Sequence, residues 1–392
     1  MRGHIVRRYK NSYTIVLNLG IDSSNGKYKQ QWISIKGTKK DAEKRLAELL
    51  HQIDTDTFIE PRKTTLAEFL QRWLKDYVEP NLTPRTGEGY ESIMRKHIIP
   101  MLGNIKLTQF KPEHLQRYFA YCQAEGRCNG KGGLNSLTIR HHYMALHQAL
   151  KTAVKWGLIN RNPVDAIDPP RFERSVMHIM NEDDIQTFLE VAKTTSYYAL
   201  FYLALFTGMR RSELLAIRWC DVDMLLCQIY VSRALHRLRD GSIFFGVPKT
   251  AKGRRMISLS PSTVLVLQEH RHKQKLDRSM IGLQLTDNDL VFSKIDGTPI
   301  PPNVVTLAWI RLAKRTGLTG VRLHDARHTH ASLMLKHGIH PKIVQERLGH
   351  SGIQITLDTY SHVAPGLQEA AAKRFDEILG GSNKDTSAVR IR

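Results

Sequence analysis

The residues best suited to chemistry lie together in the stretch 321–363. It contains His324, Arg327, His350 and Tyr360, which supply two imidazoles, a guanidinium and a phenol. Arg327 follows His324 by three positions, so a helix would place both side chains on one face. A guanidinium can hold two phosphate oxygens at once. The stretch therefore predicts a site for an oxyanion with a tyrosine beside it.

Two more basic motifs precede this stretch, TGMR at 207–210 and PKT at 248–250. Arg210 could join the oxyanion site, but Arg211 follows it directly and both could simply be a solvated helix start. Lys249 has a rival three positions on, Lys252. Neither motif decides the chemistry alone.

The elements around these motifs predict a mixed, mainly α region at 176–380. An apolar helix at 196–206 runs into a tight turn at Gly208, and a second helix follows at 212–219. Strands at 228–233, 243–247 and 256–260 form one small antiparallel sheet, with Lys249 at a strand-to-loop junction. Helices return from 261 and from 303. The last is an amphipathic helix at 366–379, before a disordered tail at 381–392.

The first 60 residues predict a small three-stranded sheet with one helix. Alternating residues mark the strands, Asn25-Gly26 is a hairpin signal, and Thr38 caps a helix at 39–53. A sheet face of this kind can enter the DNA major groove, although a generic α+β domain fits equally well.

Helical spacing and turn residues then predict four helices between 64 and 171, flanked by linkers at 61–63 and 161–175. The expected fold class is multidomain α+β, with domains at 1–60, 64–171 and 176–380.

The chain is strongly basic, with a formal net charge of +21 over 392 residues. Basic residues exceed acidic ones by 13 to 7 in 1–63, by 15 to 9 in 64–171 and by 30 to 21 in 172–392. An excess in every segment suits a protein that wraps a polyanion, and nucleic acid is the expected partner.

Other classes of protein find less support in the sequence. No apolar run reaches the length of a spanning helix and no signal peptide opens the chain, so we expect no membrane partner and a cytoplasmic, nucleoid-associated location. The four cysteines fit neither a zinc module nor a disulfide framework. The histidines lack metal-ligand spacing with carboxylates, so we expect no metal and no cofactor.

TGMR, PKT, HDAR at 324–327, LGH at 348–350 and Tyr360 within LDTYSHV occur in that order. With these five motifs, the chain resembles the tyrosine recombinases, specifically the lambda-type integrases of phages and integrative elements. The resemblance extends over the whole chain: 1–60 resembles an arm-binding domain, 64–171 a core-binding domain and 176–380 a catalytic domain. Tyr360 follows His350 by ten positions, where many relatives use nine.

The resemblance implies a site-specific recombinase of bacterial-type cells that cuts and rejoins DNA. Tyr360 would be the nucleophile, leaving a 3′-phosphotyrosyl link. Lys249 would protonate the leaving 5′ oxygen, and His324 would handle the tyrosine proton or bond the phosphate. The implied active-site set is Arg210, Lys249, His324, Arg327, His350 and Tyr360, with Glu213 orienting its helix turn or His324.

The same resemblance implies double-stranded attachment sites of core and arm type, a homotetramer at the synapse, a DNA-bending host factor and an excisionase. The final helix at 366–379 could dock onto a neighbouring protomer or pack on its own domain. Two rival functions share much of the pattern. One is a type IB topoisomerase with the same phosphotyrosine chemistry, and the other is a DNA-binding regulator without activity.

Overall fold

The computed structural model describes residues 3–21, 28–55, 63–172, 177–248, 251–360, 372 and 375–377. The chain divides into two compact units, Met1–Arg174 and Ser175–Arg392, whose boundary falls within the predicted linker 161–175. Helices long and apolar enough to cross a membrane are absent from the described part. The predicted Asn25-Gly26 turn, Lys249, the tail 381–392 and most of the final helix lie outside the described residues.

The N-terminal strands form an antiparallel sheet in the order β1 (Gly3–Tyr9), β2 (Ser12–Ile21) and β3 (Tyr28–Lys36). Helix α1 (Lys39–Asp54) begins with the predicted cap, in which Thr38 and Asp41 bond each other's backbone N–H groups. One face of the sheet buries Ile15 and Leu17 with Leu49 of α1. The predicted sheet-and-helix unit is confirmed.

The rest of this unit is helical. Its helices are α2 (Leu66–Trp73), α3 (Glu79–Asn81), α4 (Pro84–Ile93), α5 (Ile99–Leu102), α6 (Pro112–Glu125) and α7 (Ser136–Lys155). Helices α2 and α3 continue one another, as do α4 and α5, so the four predicted helices are present.

A wider π turn interrupts each of the first two predicted helices, at Leu74–Val78 and at Met94–Ile98. A backbone N–H at the end of each turn bonds the carbonyl five residues back. Each turn comes just before a proline, Pro80 or Pro100, which has no N–H and whose ring crowds the carbonyl four residues back. The wider turn relieves that crowding without ending the helix.

The second unit is mixed. Its helices are α8 (Glu182–Ala192), α9 (Tyr198–Thr207), α10 (Arg211–Leu214), α11 (Pro261–Ser279), α12 (Pro302–Arg315), α13 (Asp325–Lys336), α14 (Pro341–Leu348) and α15 (Ile353–Tyr360). Its strands are β4 (Val222–Asp223), β5 (Gln228–Val231), β6 (Ala234–Arg237), β7 (Ile243–Gly246) and β8 (Arg255–Ser258).

Two predictions for this unit were wrong in detail. The expected single sheet is divided between β4-β5-β8 and a separate hairpin β6-β7. The hairpin pairs Ala234 with Gly246 across the predicted Asp240-Gly241 turn, and β8 pairs with β5 instead. The expected helix at 212–219 lasts only from Arg211 to Leu214, and Trp219 then begins a short 3-10 turn.

Helix α9 runs through the core of the second unit. It is apolar on every side and most of its residues are buried, as expected for a helix enclosed by others. Phe201 on α9 packs against Phe188 of α8 and Trp309 of α12. The C-terminal end of this anchored helix leads directly to the TGMR motif.

Candidate active site

Arg327 is held rigidly between two parts of the chain. Its side chain is 3% exposed, and Nη1 donates to the Gly208 carbonyl at 2.8 Å while Nη2 donates to the Leu348 carbonyl at 2.7 Å. Burial and the nearby charge of Arg210 lower the pKa of Arg327, but a guanidinium starts so high that it stays charged at neutral pH. Arg327, the residue predicted to bind an oxyanion, therefore carries a positive charge in a fixed position.

Gly208 makes this arrangement possible. It ends α9 in the left-handed conformation, with φ +64°, which glycine adopts without strain. A Cβ at this position would lie 2.6 Å from Leu348 Cδ2 and 2.9 Å from His330 Cδ2. The position thus requires glycine for its backbone angle and for the close approach of its neighbours.

The second predicted arginine, Arg210, is paired with Glu213. Arg210 Nη1 donates to Glu213 Oε1 at 2.7 Å, and the Arg210 backbone N–H donates to Oε2 at 3.1 Å. Arg255 donates to Oε2 from the other side at 2.9 Å. Burial alone would raise the pKa of Glu213, but the Arg255 and Arg210 guanidiniums hold it below its ordinary value. The carboxylate is therefore an ionised bridge between two guanidiniums.

Arg211, the rival of Arg210, has a different environment. Its side chain is exposed, and Nη1 donates to Thr306 Oγ1 at 2.5 Å and to the Pro302 carbonyl at 3.3 Å, both on α12. These bonds tie the start of α10 to α12. Arg210, with its charge acting on Arg327 and Tyr360, is the arginine near the predicted site.

His350 follows the end of α14. Gly349 closes that helix at φ +67°, and His350 Nδ1 bonds Thr356 Oγ1 at 2.9 Å. That contact leaves Nε2 as the ring nitrogen suited to a ligand. Burial, together with the charges of Arg327 and Arg210, lowers the pKa of His350 to about 4.

The loop before β8 is attached to the His350 segment. Lys252 Nζ donates to the Ser351 carbonyl at 2.8 Å, and Arg255 Nε donates to the Arg347 carbonyl at 2.6 Å. Arg255 thus contacts both the Glu213 bridge and the segment that carries His350. Lys249 lies outside the described residues, so its relation to the site stays a prediction.

Tyr360 ends α15 and is buried, with 1% of its surface exposed. Burial raises its pKa to about 12, although the charges of Arg327 and Arg210 oppose that rise. The ring stacks at 6.4 Å on His350, and the phenol oxygen lies 2.9 Å from His328 Nδ1. At neutral pH the phenol is protonated.

Sequence reasoning found most of this cluster and missed two members, His328 and Arg255. His324 remains exposed at the start of α13, with its ring centroid 4.8 Å from that of His328. His328 could have been found, because it follows His324 by four positions and so shares its helix face. Arg255 gave no such signal, since it is one of several basic residues between the PKT motif and the end of the next strand.

The side chains of this cluster have the chemistry of an anion site more than that of a site for a metal ion. Among the described residues, no group of three or more His, Cys, Asp or Glu is placed to hold one. The side chains that converge are cationic, neutral imidazole and phenol, with a single carboxylate. Such a set suits a phosphate group better than a cation.

Two family models match the chain. The model of the phage integrase family matches residues 178–366, which include every predicted active-site residue. The model of the phage integrase N-terminal SAM-like domain matches residues 65–121, in the helical part of the first unit.

Curated relatives match over almost the whole chain. A tyrosine recombinase XerC-like protein of Caldanaerobacter subterraneus subsp. tengcongensis is 28% identical, over 95% of this chain and 98% of its own. The ICEBs1 integrase of Bacillus subtilis is 24% identical, over 95% of this chain and 100% of its own.

Solved structures share the fold. The integrase of the Tn1549 transposon, in complex with a circular intermediate DNA, superposes with a TM-score of 0.66 at 23% identity, over 80% of this chain and 99% of that one. A lambda integrase tetramer bound to a Holliday junction has a TM-score of 0.55 at 17% identity, over 91% of this chain and 94% of that one. The predicted multidomain α+β architecture is confirmed.

Proposed function

Because the chain belongs to the phage integrase family of tyrosine recombinases, we propose that it cuts and rejoins DNA through a covalent bond between Tyr360 and a 3′ phosphate. It is a site-specific recombinase of a phage or other mobile element. The residue-level mechanism rests on the chemistry of its own side chains.

One observation carries the proposal: two guanidiniums, an imidazole and a phenol converge from four separate places in the second unit. Arg210 precedes α10, Arg327 lies on α13, His350 follows α14 and Tyr360 ends α15. The positive charges of Arg210 and Arg327 act on both His350 and Tyr360. A phosphodiester placed among these groups would meet two cations and a nucleophile at once.

This arrangement suits attack on phosphorus. Negative charge grows on the nonbridging oxygens as the nucleophile approaches, and fixed guanidiniums stabilise that charge. His350 Nε2 and the exposed His324 donate hydrogen bonds to the phosphate, and Lys249 protonates the departing 5′ oxygen. The phosphotyrosyl link retains the energy of the original phosphodiester, so the reverse attack by a 5′ hydroxyl rejoins the strand without ATP.

The buried state of Tyr360 has a consequence for this reaction. A side chain with 1% of its surface exposed cannot touch a DNA phosphate directly. Access of a phosphate to Tyr360 therefore requires the side chains that cover the phenol to move. Cleavage would then be coupled to correct seating of the DNA.

The wider assembly follows from the same proposal. Residues 1–60 would bind arm-type sites, 64–171 core-type sites, and 176–380 would carry out cleavage. Exchange of two strands on each of two duplexes requires four protomers, and the lambda integrase tetramer on a Holliday junction supports that number. A DNA-bending host factor and an excisionase would control direction.

The test uses a nicked attachment-site duplex that traps the covalent intermediate. Wild type and Tyr360→Phe are compared on a denaturing gel, with chelator present. A shifted protein–DNA band in wild type alone supports the proposal. A band that survives in the variant moves the nucleophile elsewhere, with Thr359 and Ser361 as first candidates. Tight specific binding without any band indicates a regulator, and relaxation of plasmids that lack an attachment site indicates a topoisomerase.

A further inference from the structure

His328 is the imidazole in contact with the phenol of Tyr360. Its Nδ1 lies 2.9 Å from the phenol oxygen, and the two ring centroids are 5.6 Å apart. His324, the neighbouring histidine on the same helix face, is exposed, whereas His328 is half-buried behind it. The two rings meet edge to face, at 81° and 4.8 Å. One histidine therefore faces solvent while the other faces the tyrosine.

The pair starts in the protonation states that a transfer from Tyr360 to His328 requires, with the proton on the phenol and a neutral imidazole beside it. Burial lowers the pKa of His328, and Arg327 and Arg322 lower it further, while Asp325 opposes them. His328 is therefore neutral at neutral pH, and Tyr360 is protonated. With the ring proton on Nε2, the Nδ1 lone pair accepts the phenol hydrogen bond.

Charged and titratable groups surround His328 from several elements. Four of them lie on α13 and its N-terminal turn, α15 contributes the phenol, and the segment after α14 contributes an imidazole. They are Arg322, His324, Asp325, Arg327, Tyr360 and His350.

We propose that His328 is a catalytic residue of the cleavage reaction, in which its Nδ1 positions the Tyr360 phenol and accepts the phenol proton as the oxygen attacks phosphorus. This inference rests on the proposed function, with Tyr360 as the nucleophile. In this scheme His328 accepts the proton of the Tyr360 phenol, and the exposed His324 donates a hydrogen bond to the phosphate.

The step balances without any further reagent. The phenol O–H bond breaks and its proton moves to His328 Nδ1, while a lone pair of the phenol oxygen forms the new bond to phosphorus. The bond from phosphorus to the 5′ oxygen breaks, and that oxygen keeps the electron pair and takes a proton from Lys249. In rejoining, the His328 imidazolium returns its proton to the tyrosine oxygen as that oxygen leaves phosphorus.

The first experiment measures single-turnover cleavage of the nicked duplex by His328→Gln. The glutamine carbonyl can still accept the phenol hydrogen bond but cannot take its proton. We expect cleavage to slow by about 100-fold, at the lower end of the usual contribution of a general base. His337→Gln is the matched control, because His337 caps the far end of the same helix and is exposed. DNA binding and thermal unfolding establish that each variant is folded.

A second substrate separates the base from the acid. A 5′-bridging phosphorothiolate has a leaving group that departs without protonation. It should restore cleavage by Lys249→Ala and leave His328→Gln slow. Rescue of His328→Gln by this substrate would place His328 on the leaving-group side and overturn the inference. Wild-type rates for His328→Gln on both substrates would overturn it as well.

The pH dependence provides a readout that a purely structural role would not change. In wild type, cleavage should fall at low pH as His328 becomes protonated and loses its acceptor nitrogen. His324→Gln should still show this fall in the cleavage rate at low pH, whereas His328→Gln should not. If the fall disappears in His324→Gln instead, His324 is the base. Absence of a covalent band in wild type would contradict the proposed function itself, and the Tyr360→Phe comparison identifies that case.

Discussion

Arg255 Nη2 donates a 2.9 Å hydrogen bond to Glu213 Oε2, and both side chains are almost completely buried. The same carboxylate accepts from Arg210 on its other oxygen. A carboxylate between two guanidiniums offsets their mutual repulsion and fixes their geometry. We therefore propose that Glu213 supports the site by holding Arg210 in position.

Glu213→Gln should impair both stability and cleavage. The amide keeps the shape but leaves the buried Arg255 and the partly exposed Arg210 without their counter-charge, at a cost of about 3 kcal/mol of unfolding free energy. Denaturant unfolding measures that loss. Cleavage of the nicked duplex should fall by about 100-fold, because Arg210 is no longer held.

Glu190→Gln is the control for this prediction. Glu190 forms an exposed ion pair with Lys193 in the same unit. Removal of such a pair should change the unfolding free energy by less than about 1 kcal/mol. Equal losses in the two variants would contradict the bridging role.

Gly208→Ala should disturb the Arg327 site through the backbone. The left-handed φ costs a non-glycine residue about 1–2 kcal/mol, and the new Cβ would also collide with Leu348 and His330. Gly317→Ala is the matched control, since Gly317 has φ +79° with open space around it. We expect Gly317→Ala to lose only the unfolding free energy that the left-handed backbone angle costs, and to cleave DNA at the wild-type rate. A Gly208→Ala variant that unfolds and cleaves like the control would show that the contact with Leu348 is unimportant.

His330 should make stability fall with falling pH. Burial and the Arg347 guanidinium lower its pKa from 6.5 to about 3. The unfolded chain therefore binds a proton in this window that the folded protein excludes, so stability is full above 6.5 and declines as pH drops toward 3. Chemical unfolding at several pH values between 5 and 7.5 gives the unfolding free energy as a function of pH. That free energy should depend less steeply on pH in His330→Gln than in wild type. An unchanged slope would assign the effect to other histidines.

The two candidate lysines should respond differently to leaving-group chemistry. Lys252 is bonded to the Ser351 carbonyl, so Lys252→Ala should loosen the loop and slow cleavage several-fold on every substrate. Lys249→Ala should slow cleavage by about 100-fold on the normal substrate, as expected for loss of a general acid. The bridging phosphorothiolate should rescue only Lys249→Ala. Rescue of Lys252→Ala alone would exchange the two assignments.

Local patterns in the sequence were enough to predict most elements, whereas the reactive set was implied by the resemblance that the five motifs carry. Helical spacing and turn residues placed the four helices of 64–171, because an amphipathic pattern and its caps are properties of neighbouring residues. The prolines at 80 and 100 could have indicated that these helices are interrupted. They could not have indicated that a π turn lets each helix continue. The order of the motifs at 207–210, 324–327 and 348–350 established that resemblance, which implied the arginines and histidines of the predicted site.

Tertiary structure alone decided which of these side chains meet. Residue type alone left Arg210 and Arg211 open, and the structure separates them by pairing Arg210 with Glu213 and Arg211 with α12. Arg255 reaches Glu213 from 42 residues away, a contact that no local pattern encodes. The single predicted sheet became two for the same reason, since strand partners are chosen over distance. Likewise, His324 and His328 share a helix face, and only the position of α15 gives the phenol of Tyr360 to His328.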